Sequence, residues 1–137
     1  MPLLTWKDEY SVNNEELDSH HKTLITILNN LYTECLEVDS DGCVGPKLDA
    51  FLAFADYHFT AEEEYMRRIQ YFEIDAHVEQ HRGFAYKLAE MKRVQYRNEI
   101  ELTRELITFI GKWLLHHVFE EDKKYALHAA SGVKRQS

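Results

Sequence analysis

The sequence predicts an all-α protein, an up-down-up-down four-helix bundle with an N-terminal arm. Apolar residues recur in four segments at alternating steps of three and four, which places them on one helix face. Five glycines and two prolines in 137 residues favour long helices over many short strands. Helices of about 20 residues span about 30 Å, and short connections make them antiparallel neighbours. We expect an arm over residues 1–12, the bundle over 13–128 and a polar tail over 129–137.

The first helix is expected to begin near Asn13 or Asn14, because asparagine is a favoured N-cap residue. Glu15 and Glu16 follow, and their charge complements the positive end of the helix dipole. Glycine and proline between residues 39 and 46 predict the first loop. The inward stripe of this helix consists of Leu17, His21, Leu24, Leu28, Leu31 and Cys35.

The other three helices show the same stepping. We expect the second to end before Tyr71, and the pattern breaks again over 95–99, before a fourth helix that continues towards Tyr125. The second stripe is Leu48, Phe51, Ala55, His58, Glu62 and Tyr65; the third is Ile74, His77, His81, Phe84, Leu88 and Met91; the fourth is Leu106, Ile110, Trp113 and His117.

The bulk composition excludes some classes of partner. A formal net charge of -8 gives the chain no electrostatic attraction to nucleic acid or to an anionic membrane surface. No apolar run is long enough to span a bilayer, and Met1 to Tyr10 lacks the pattern of a signal peptide. We therefore expect a cytoplasmic protein, in which Cys35 and Cys43 are free thiols.

Polar ligand-type residues occupy positions in these stripes that should otherwise be apolar. A single histidine in a stripe is usually a satisfied core residue. Several buried together without a partner would each cost about 1–3 kcal/mol. Pairs four residues apart project from one helix face, and bundle cores build metal sites from such pairs on neighbouring helices. The stripes contain His21, His58, Glu62, His77, His81 and His117, and a further carboxylate follows at 121 or 122. The set predicts a metal site.

Register decides between adjacent candidates in most cases. His21 and His117 lie on their stripes, so His20 and His116 are expected to lie off them, and Glu62 is selected over Glu63 and Glu64 in the same way. His128 lies past the repeat and is expected to be exposed. The last carboxylate stays open: spacing favours Glu121, four residues after His117, whereas Asp122 lies five after it and about 140° around an α-helix.

These segments together resemble the hemerythrin family of oxygen-binding di-iron proteins, and within it the single-domain bacterial members. The resemblance covers Trp6 to Tyr125. It departs from the family pattern at His20, where glutamine is common, at His116 and at 70–72. The matching pieces are Trp6, Asp18-x-x-His21-Lys22-x-Leu24, His58-Phe59-x-x-Glu62-Glu63-x-x-Met66, His77-x-x-x-His81-x-x-Phe84 and Trp113-Leu114-x-x-His117-Val118-x-x-x-Asp122-Lys123-Lys124-Tyr125.

The resemblance implies that Asp122 is the seventh ligand and that the cofactor is two iron ions. Glu62 and Asp122 would bridge both ions together with an oxo or hydroxo group. One ion would take His77, His81 and His117, and the other would take His21 and His58. The second ion then keeps one open position for dioxygen. Its apolar surroundings are expected to be Leu24, Trp113, Leu114 and Val118.

Ligand type alone permits iron, copper, nickel or zinc, and it is the resemblance that implies iron. Five neutral imidazoles make the site less anionic than the glutamate-rich sites of ferritin-like proteins, which favours reversible binding of oxygen over its activation. We therefore expect a monomeric oxygen carrier, store or supplier, with an oxygen-consuming enzyme as its client, and no enzymatic activity of its own. The alternatives are a sensor of oxygen, redox state or iron, and a di-iron enzyme such as a peroxidase, nitric-oxide scavenger or oxidase.

Overall fold

The computed structural model describes residues 3–37, 42–93 and 98–131, and its regular elements in these ranges are all helical. The chain forms a four-helix bundle in which each helix packs on the next and the first packs on the fourth. The first and fourth helices each contain a stretch of π-helix. The elements are a 3₁₀ turn (Asp8–Tyr10), α1 (Glu15–Asn30), a first π segment (Leu31–Glu37), α2 (Val44–Arg68), α3 (Ile74–Arg93), α4 (Glu99–Trp113), a second π segment (Leu114–Glu121) and α5 (Asp122–Ser131).

The start of α1 agrees with the sequence. Asn14 is the N-cap, and its side chain accepts a hydrogen bond from the backbone N–H of Leu17 at 3.1 Å. The carboxylate of Asp18 accepts hydrogen bonds from the Ser11 hydroxyl at 2.5 Å and from the Val12 N–H at 2.9 Å. The bond to Leu17 satisfies a backbone donor that the helix start leaves free, and the bonds to Asp18 tie the arm to α1.

The arm lies across the first and fourth bundle helices. Tyr10 stacks on Phe119 of the second π segment with ring centroids 3.6 Å apart. Lys123 donates from Nζ to the carbonyls of Glu9 at 2.8 Å and Ser11 at 3.1 Å. Because these contacts reach helices that are distant in sequence, the arm is part of the folded domain.

The first connection is shorter than predicted. The loop was expected over 39–46, but α2 begins at Val44, so Pro46 lies in its first turn, where a missing N–H costs nothing. The carboxylate of Glu99, at the start of α4, accepts hydrogen bonds from the N–H groups of Gly42 at 2.9 Å and Val44 at 3.2 Å. A side chain distant in sequence thus caps α2, which local sequence patterns do not reveal.

The prediction of free thiols is wrong. Cys35 in the first π segment and Cys43 just before α2 form a disulfide, with Cα atoms 5.5 Å apart. The prediction was based on the expected compartment, whereas the fold brings the two cysteines within bridging distance. Disulfides are rare in a reducing cytosol, so this bridge argues against the expected cytoplasmic location. The location itself stays a prediction. No helix within the described ranges is long and apolar enough to cross a membrane.

The fourth bundle helix consists of α4, the second π segment and α5 without a break. Its N-cap is Asn98, which accepts from the N–H of Glu101 at 2.8 Å. The helix continues to Ser131, so residues 129–131, expected in the polar tail, complete α5 instead. The remainder of the predicted tail, 132–137, lies outside the described residues, as do 95–97 of the predicted third break.

The buried apolar residues form two clusters with a polar layer between them. On α1, Leu17 belongs to the smaller cluster and Leu24 to the larger one. On the fourth helix, Tyr125 belongs to the smaller cluster and Val118 to the larger. The residues between these positions, including His21 and Asp122, therefore lie in a layer walled by hydrocarbon on both sides.

Candidate metal centre

Four bundle helices direct seven ligand-type side chains into the polar layer, and all seven are buried. Their candidate ligand atoms form two groups, each within 4.8 Å, that share two carboxylates. The structure thus brings together every residue predicted for the metal site. His21 comes from α1, His58 and Glu62 from α2, His77 and His81 from α3, His117 from the second π segment and Asp122 from α5.

The larger group contains three histidines. The Nε2 atom of His77 lies 2.9 Å from both Glu62 Oε1 and Asp122 Oδ1. His81 Nε2 lies 2.9 Å from the same Glu62 oxygen, and His117 Nε2 lies 3.2 Å from Asp122 Oδ1. The Nε2 atoms of His81 and His117 are themselves 3.0 Å apart. Three imidazoles therefore face Oε1 of one carboxylate and Oδ1 of the other.

The smaller group contains two histidines and faces the opposite oxygens. His21 Nε2 lies 3.4 Å from Glu62 Oε2 and 3.1 Å from Asp122 Oδ2. His58 Nε2 lies 3.1 Å from Glu62 Oε2. Each carboxylate thus presents one oxygen to each histidine group, which is the arrangement needed to bridge two ions.

The arrangement fits metal ions better than a network of hydrogen bonds. Both oxygens of Asp122 lack a hydrogen-bond partner among the described residues, although ring nitrogens lie about 3 Å away. Two ligands at right angles, each about 2.1 Å from one ion, would lie about 3.0 Å apart. The nitrogen–oxygen distances above agree with that spacing. Imidazole and carboxylate ligands suit iron, copper, nickel or zinc.

The opposite charges in the polar layer stabilise each other's ionised forms. Burial disfavours the charged form of His21 and of His77, but the close, negatively charged carboxylates of Asp122 and Glu62 outweigh it, raising the pKa of His21 to about 9 and of His77 to about 10. Burial would raise the pKa of Glu62 and of Asp122, yet the surrounding histidines hold both below their usual range. Both carboxylates are therefore ionised, which a bridging ligand requires.

The second π segment explains how the last carboxylate enters the layer. The backbone N–H of Asp122 bonds to the carbonyl of His117, five residues back rather than four. This wider turn brings Asp122 round to the face of His117, and its side chain is 0% exposed. Glu121 is 15% exposed and pairs with Lys124 Nζ at 2.9 Å. Spacing counted on an α-helix favoured Glu121, whereas the structure places Asp122 in the cluster.

Outside the ligand atoms, further polar side chains contact the histidines from behind. Nδ1 of His81 lies 2.9 Å from the carboxylate of Glu63, and Nδ1 of His117 lies 2.7 Å from the side-chain oxygen of Gln80. Tyr125 donates its hydroxyl to Glu62 Oε2 at 3.0 Å. Sequence reasoning missed these residues. The sequence offered one signal for two of them: Glu63 and Gln80 each adjoin a residue of an inward stripe.

Of the other histidines, one expectation is corrected and one agrees. His20 was expected off the stripe and lies outside the ligand cluster, although it is only 6% exposed, and burial lowers its pKa. His128 was expected to be exposed but is 9% exposed, and its Nε2 lies 3.0 Å from the Ile69 carbonyl. The reason is that α5 extends past Tyr125 and carries His128 over the α2–α3 connection. His116 is 65% exposed, as its register predicts.

The four residues expected to surround the open position belong to the larger apolar cluster or pack against it. Leu24, Leu114 and Val118 are each 1% exposed and belong to the larger apolar cluster. Trp113 stacks on His117 with ring centroids 4.2 Å apart and an interplanar angle of 13°. The side of the polar layer towards the larger cluster is therefore hydrocarbon and indole.

Known proteins are similar to this chain in both sequence and fold. The hemerythrin HHE cation binding domain matches residues 12–128. A bacteriohemerythrin of Stenotrophomonas maltophilia (strain R551-3) is 29% identical over 126 residues, covering 92% of this chain and 81% of that protein. A bacteriohemerythrin of Clostridium acetobutylicum is 27% identical over 129 residues, covering 90% and 98%. The crystal structure of a wild-type hemerythrin superposes with a TM-score of 0.76 at 26% identity, covering 91% of this chain and 96% of that chain.

Proposed function

This chain belongs to the hemerythrin family, and we propose that it binds dioxygen reversibly at a centre of two iron ions. The observation that carries the proposal is that Glu62 and Asp122 each divide their two oxygens between two groups of histidines. The proposed iron ligands are His21, His58, Glu62, His77, His81, His117 and Asp122.

The two groups assign the two ions different surroundings. His77, His81 and His117 would hold one ion, and His21 and His58 the other, with an oxo or hydroxo group and the two carboxylates shared. The two-histidine ion then has one protein ligand fewer, so dioxygen has one place to bind. Two iron ions held by these residues would supply the electrons for reversible oxygen binding.

The apolar side chains on the larger-cluster side of the polar layer would protect bound oxygen. Leu24, which follows His21 by three residues, and Leu114 and Val118, which flank His117, close that side of the layer. A wall of this kind limits the entry of water and protons, which would otherwise promote loss of reduced oxygen and leave ferric iron. Phe59, stacked on His81 at 4.0 Å between ring centroids, covers part of the three-histidine group.

The charge of the ligand set favours a carrier over an enzyme. Ferritin-like di-iron proteins rely mainly on glutamates. Here five imidazoles are neutral when bound to metal and two carboxylates supply the negative charge. We infer that this set stabilises highly oxidised iron less well, so that oxygen leaves intact. We therefore propose that this chain carries, stores or supplies oxygen, and is not itself an oxidase.

The deciding experiment combines metal analysis with oxygen cycling. Protein produced in iron-rich medium should contain two irons per chain. After anaerobic reduction, its visible spectrum should change with air and return under argon over repeated cycles. Zinc or one metal per chain would contradict the di-iron site. Continuous oxygen consumption with reductant, well above the rate of autoxidation, would favour the enzyme.

We also propose that the protein acts as a monomer that delivers oxygen to a separate client enzyme. Sedimentation equilibrium at micromolar concentration should give the mass of one chain, 16.3 kDa. A dimer mass would contradict this proposal without affecting the proposal for the metal site.

A further inference from the structure

His20 occupies a buried position directly behind one of the proposed ligands. Its Nδ1 atom lies 3.1 Å from Nδ1 of His58, and the two rings meet edge to face at an interplanar angle of 88°. Phe54 and Tyr57 contact the His20 ring at centroid distances of 5.7 and 5.1 Å. The packing fixes the ring on several sides, so its contact with His58 has a defined geometry.

The roles of the two nitrogens follow from the direction of His58. Its Nε2 faces the Glu62 carboxylate at 3.1 Å and is the ligand atom. An imidazole that binds metal through one nitrogen keeps its proton on the other. With metal on its Nε2, His58 would donate from Nδ1, and Nδ1 of His20 would accept. His20 is then a neutral ring with its proton on Nε2.

The three-histidine group has a different acceptor in the corresponding place. His81 donates from Nδ1 to the carboxylate of Glu63 at 2.9 Å. A carboxylate behind a ligating histidine makes that histidine a stronger donor to the metal, and its negative charge favours the more oxidised ion. A neutral imidazole acceptor does less of both. His21, the other histidine of the smaller group, has no partner for Nδ1 among the described residues.

We propose that His20 is a positioning residue that holds His58 through a neutral hydrogen-bond acceptor. A carboxylate in this place would favour ferric iron more strongly, so His20 helps the oxygen-binding ion to remain ferrous. Glu63 has the opposite effect on the three-histidine ion. This inference rests on the proposed function. It extends that function by assigning to residue 20 control of the redox balance of the open iron.

The test replaces the acceptor while keeping the ring of His58. In His20→Gln the side-chain oxygen is a neutral acceptor, in His20→Glu it is charged, and in His20→Leu it is absent. The reverse change is Glu63→Gln on the three-histidine side. Ala53→Glu, on an exposed position of α2, adds the same charge at the surface and serves as the control.

The primary measurement is the ratio of ferric to ferrous protein at a fixed potential, with iron per chain measured on the same samples. His20→Glu should raise this ratio about tenfold, the order of magnitude by which such partners alter metal affinity. His20→Gln should stay within about twofold of wild type, and Glu63→Gln should lower the ratio. Ala53→Glu should match wild type. Equal ratios for His20→Glu and His20→Gln at full iron loading would overturn the proposal.

A second measurement does not depend on oxygen or on redox chemistry. Nitrogen NMR of zinc-loaded protein should show His20 with its proton on Nε2 and a bare Nδ1, and His58 with its proton on Nδ1. A proton on His20 Nδ1 would overturn the assignment. If wild-type protein binds two irons but does not release oxygen, the proposed function fails, while the ratios and the tautomers still decide the role of His20.

Discussion

The two π segments lie at different places in their helices and have different consequences. The first, Leu31–Glu37, follows α1 at the end of a helix, and the disulfide from Cys35 and an ion pair between Glu34 and Lys47 fasten it to α2. The second, Leu114–Glu121, lies between α4 and α5 within one continuous helix. A widened turn at a helix end changes where the chain goes next. Within a helix it rotates everything that follows.

That rotation is what brings Asp122 into the polar layer. On a regular α-helix, a residue five after His117 would point about 140° away from it. The hydrogen bond from the Asp122 N–H to the His117 carbonyl marks the wider turn that removes most of this angle. At one place the widened turns direct a ligand-type side chain into the site, and at the other they carry the disulfide and the ion pair that join the bundle end to α2.

The strongest test of this contrast replaces, one at a time, the two carboxylates where the second π segment meets α5. Asp122→Ala should lower iron affinity by well over tenfold, because it removes a ligand oxygen from both groups. Glu121→Ala removes only a partly exposed partner of Lys124, so iron per chain should stay near two. Iron content by elemental analysis distinguishes them. The reverse result would place Glu121 in the site and contradict the role of the wider turn.

A deletion tests the wider turn itself. Removing Glu120, an exposed residue, leaves the aspartate four residues after His117, which is the spacing that a regular α-helix needs to place both on one face. We expect this variant to keep more than half of its iron. Inserting one alanine after Glu120 should abolish loading, since a spacing of six fits neither turn. Loss of iron in both variants would contradict this account.

The two pairs of adjacent histidines, His20–His21 and His116–His117, give the next largest effect. His21→Ala and His117→Ala each remove a ring nitrogen from a ligand group, so iron loading should fall sharply. His116 is exposed, and His116→Ala should load normally. His20→Ala should also load near two irons, because His20 contacts His58 rather than the shared carboxylates. Loss of iron in His20→Ala would contradict the expectation that the ligand set is complete without this residue.

What could be predicted from the sequence also differs between the regular helices and the π segment. A regular helix period was sufficient to select His21, His58 and His117 for the seam, because each lies on a stripe whose other members are apolar. It could not select Asp122, because the π turn breaks the period, and there only the family resemblance indicated the carboxylate that lies in the cluster. The contact of His20 with His58 and the Cys35–Cys43 bridge join different helices, so neither has a local signature.

The disulfide should affect stability and leave the metal centre unchanged. It closes a loop between residues eight apart, and the chain-entropy model gives about 2.5 kcal/mol for such a loop. Cys35→Ser with Cys43→Ser should lower the free energy of unfolding in urea by about this amount, with two irons still bound. A loss of iron in the double variant would show that the two π segments are coupled.

The smallest expected effect concerns the first residue of the second π segment. Leu114 is 1% exposed and belongs to the apolar wall of the proposed oxygen site, whereas its neighbour Leu115 is 46% exposed. Leu114→Asn would bring an amide and water next to bound oxygen, so autoxidation to the ferric form should accelerate several-fold, or by about 1 kcal/mol of activation free energy. Leu115→Asn is the matched control and should leave the rate unchanged. Spectral decay of the oxygenated protein measures both rates, with iron per chain as a check. If the Leu114 variant decays no faster, the apolar wall near the open iron lies elsewhere in the layer, with Leu24 and Val118 as the next positions to test.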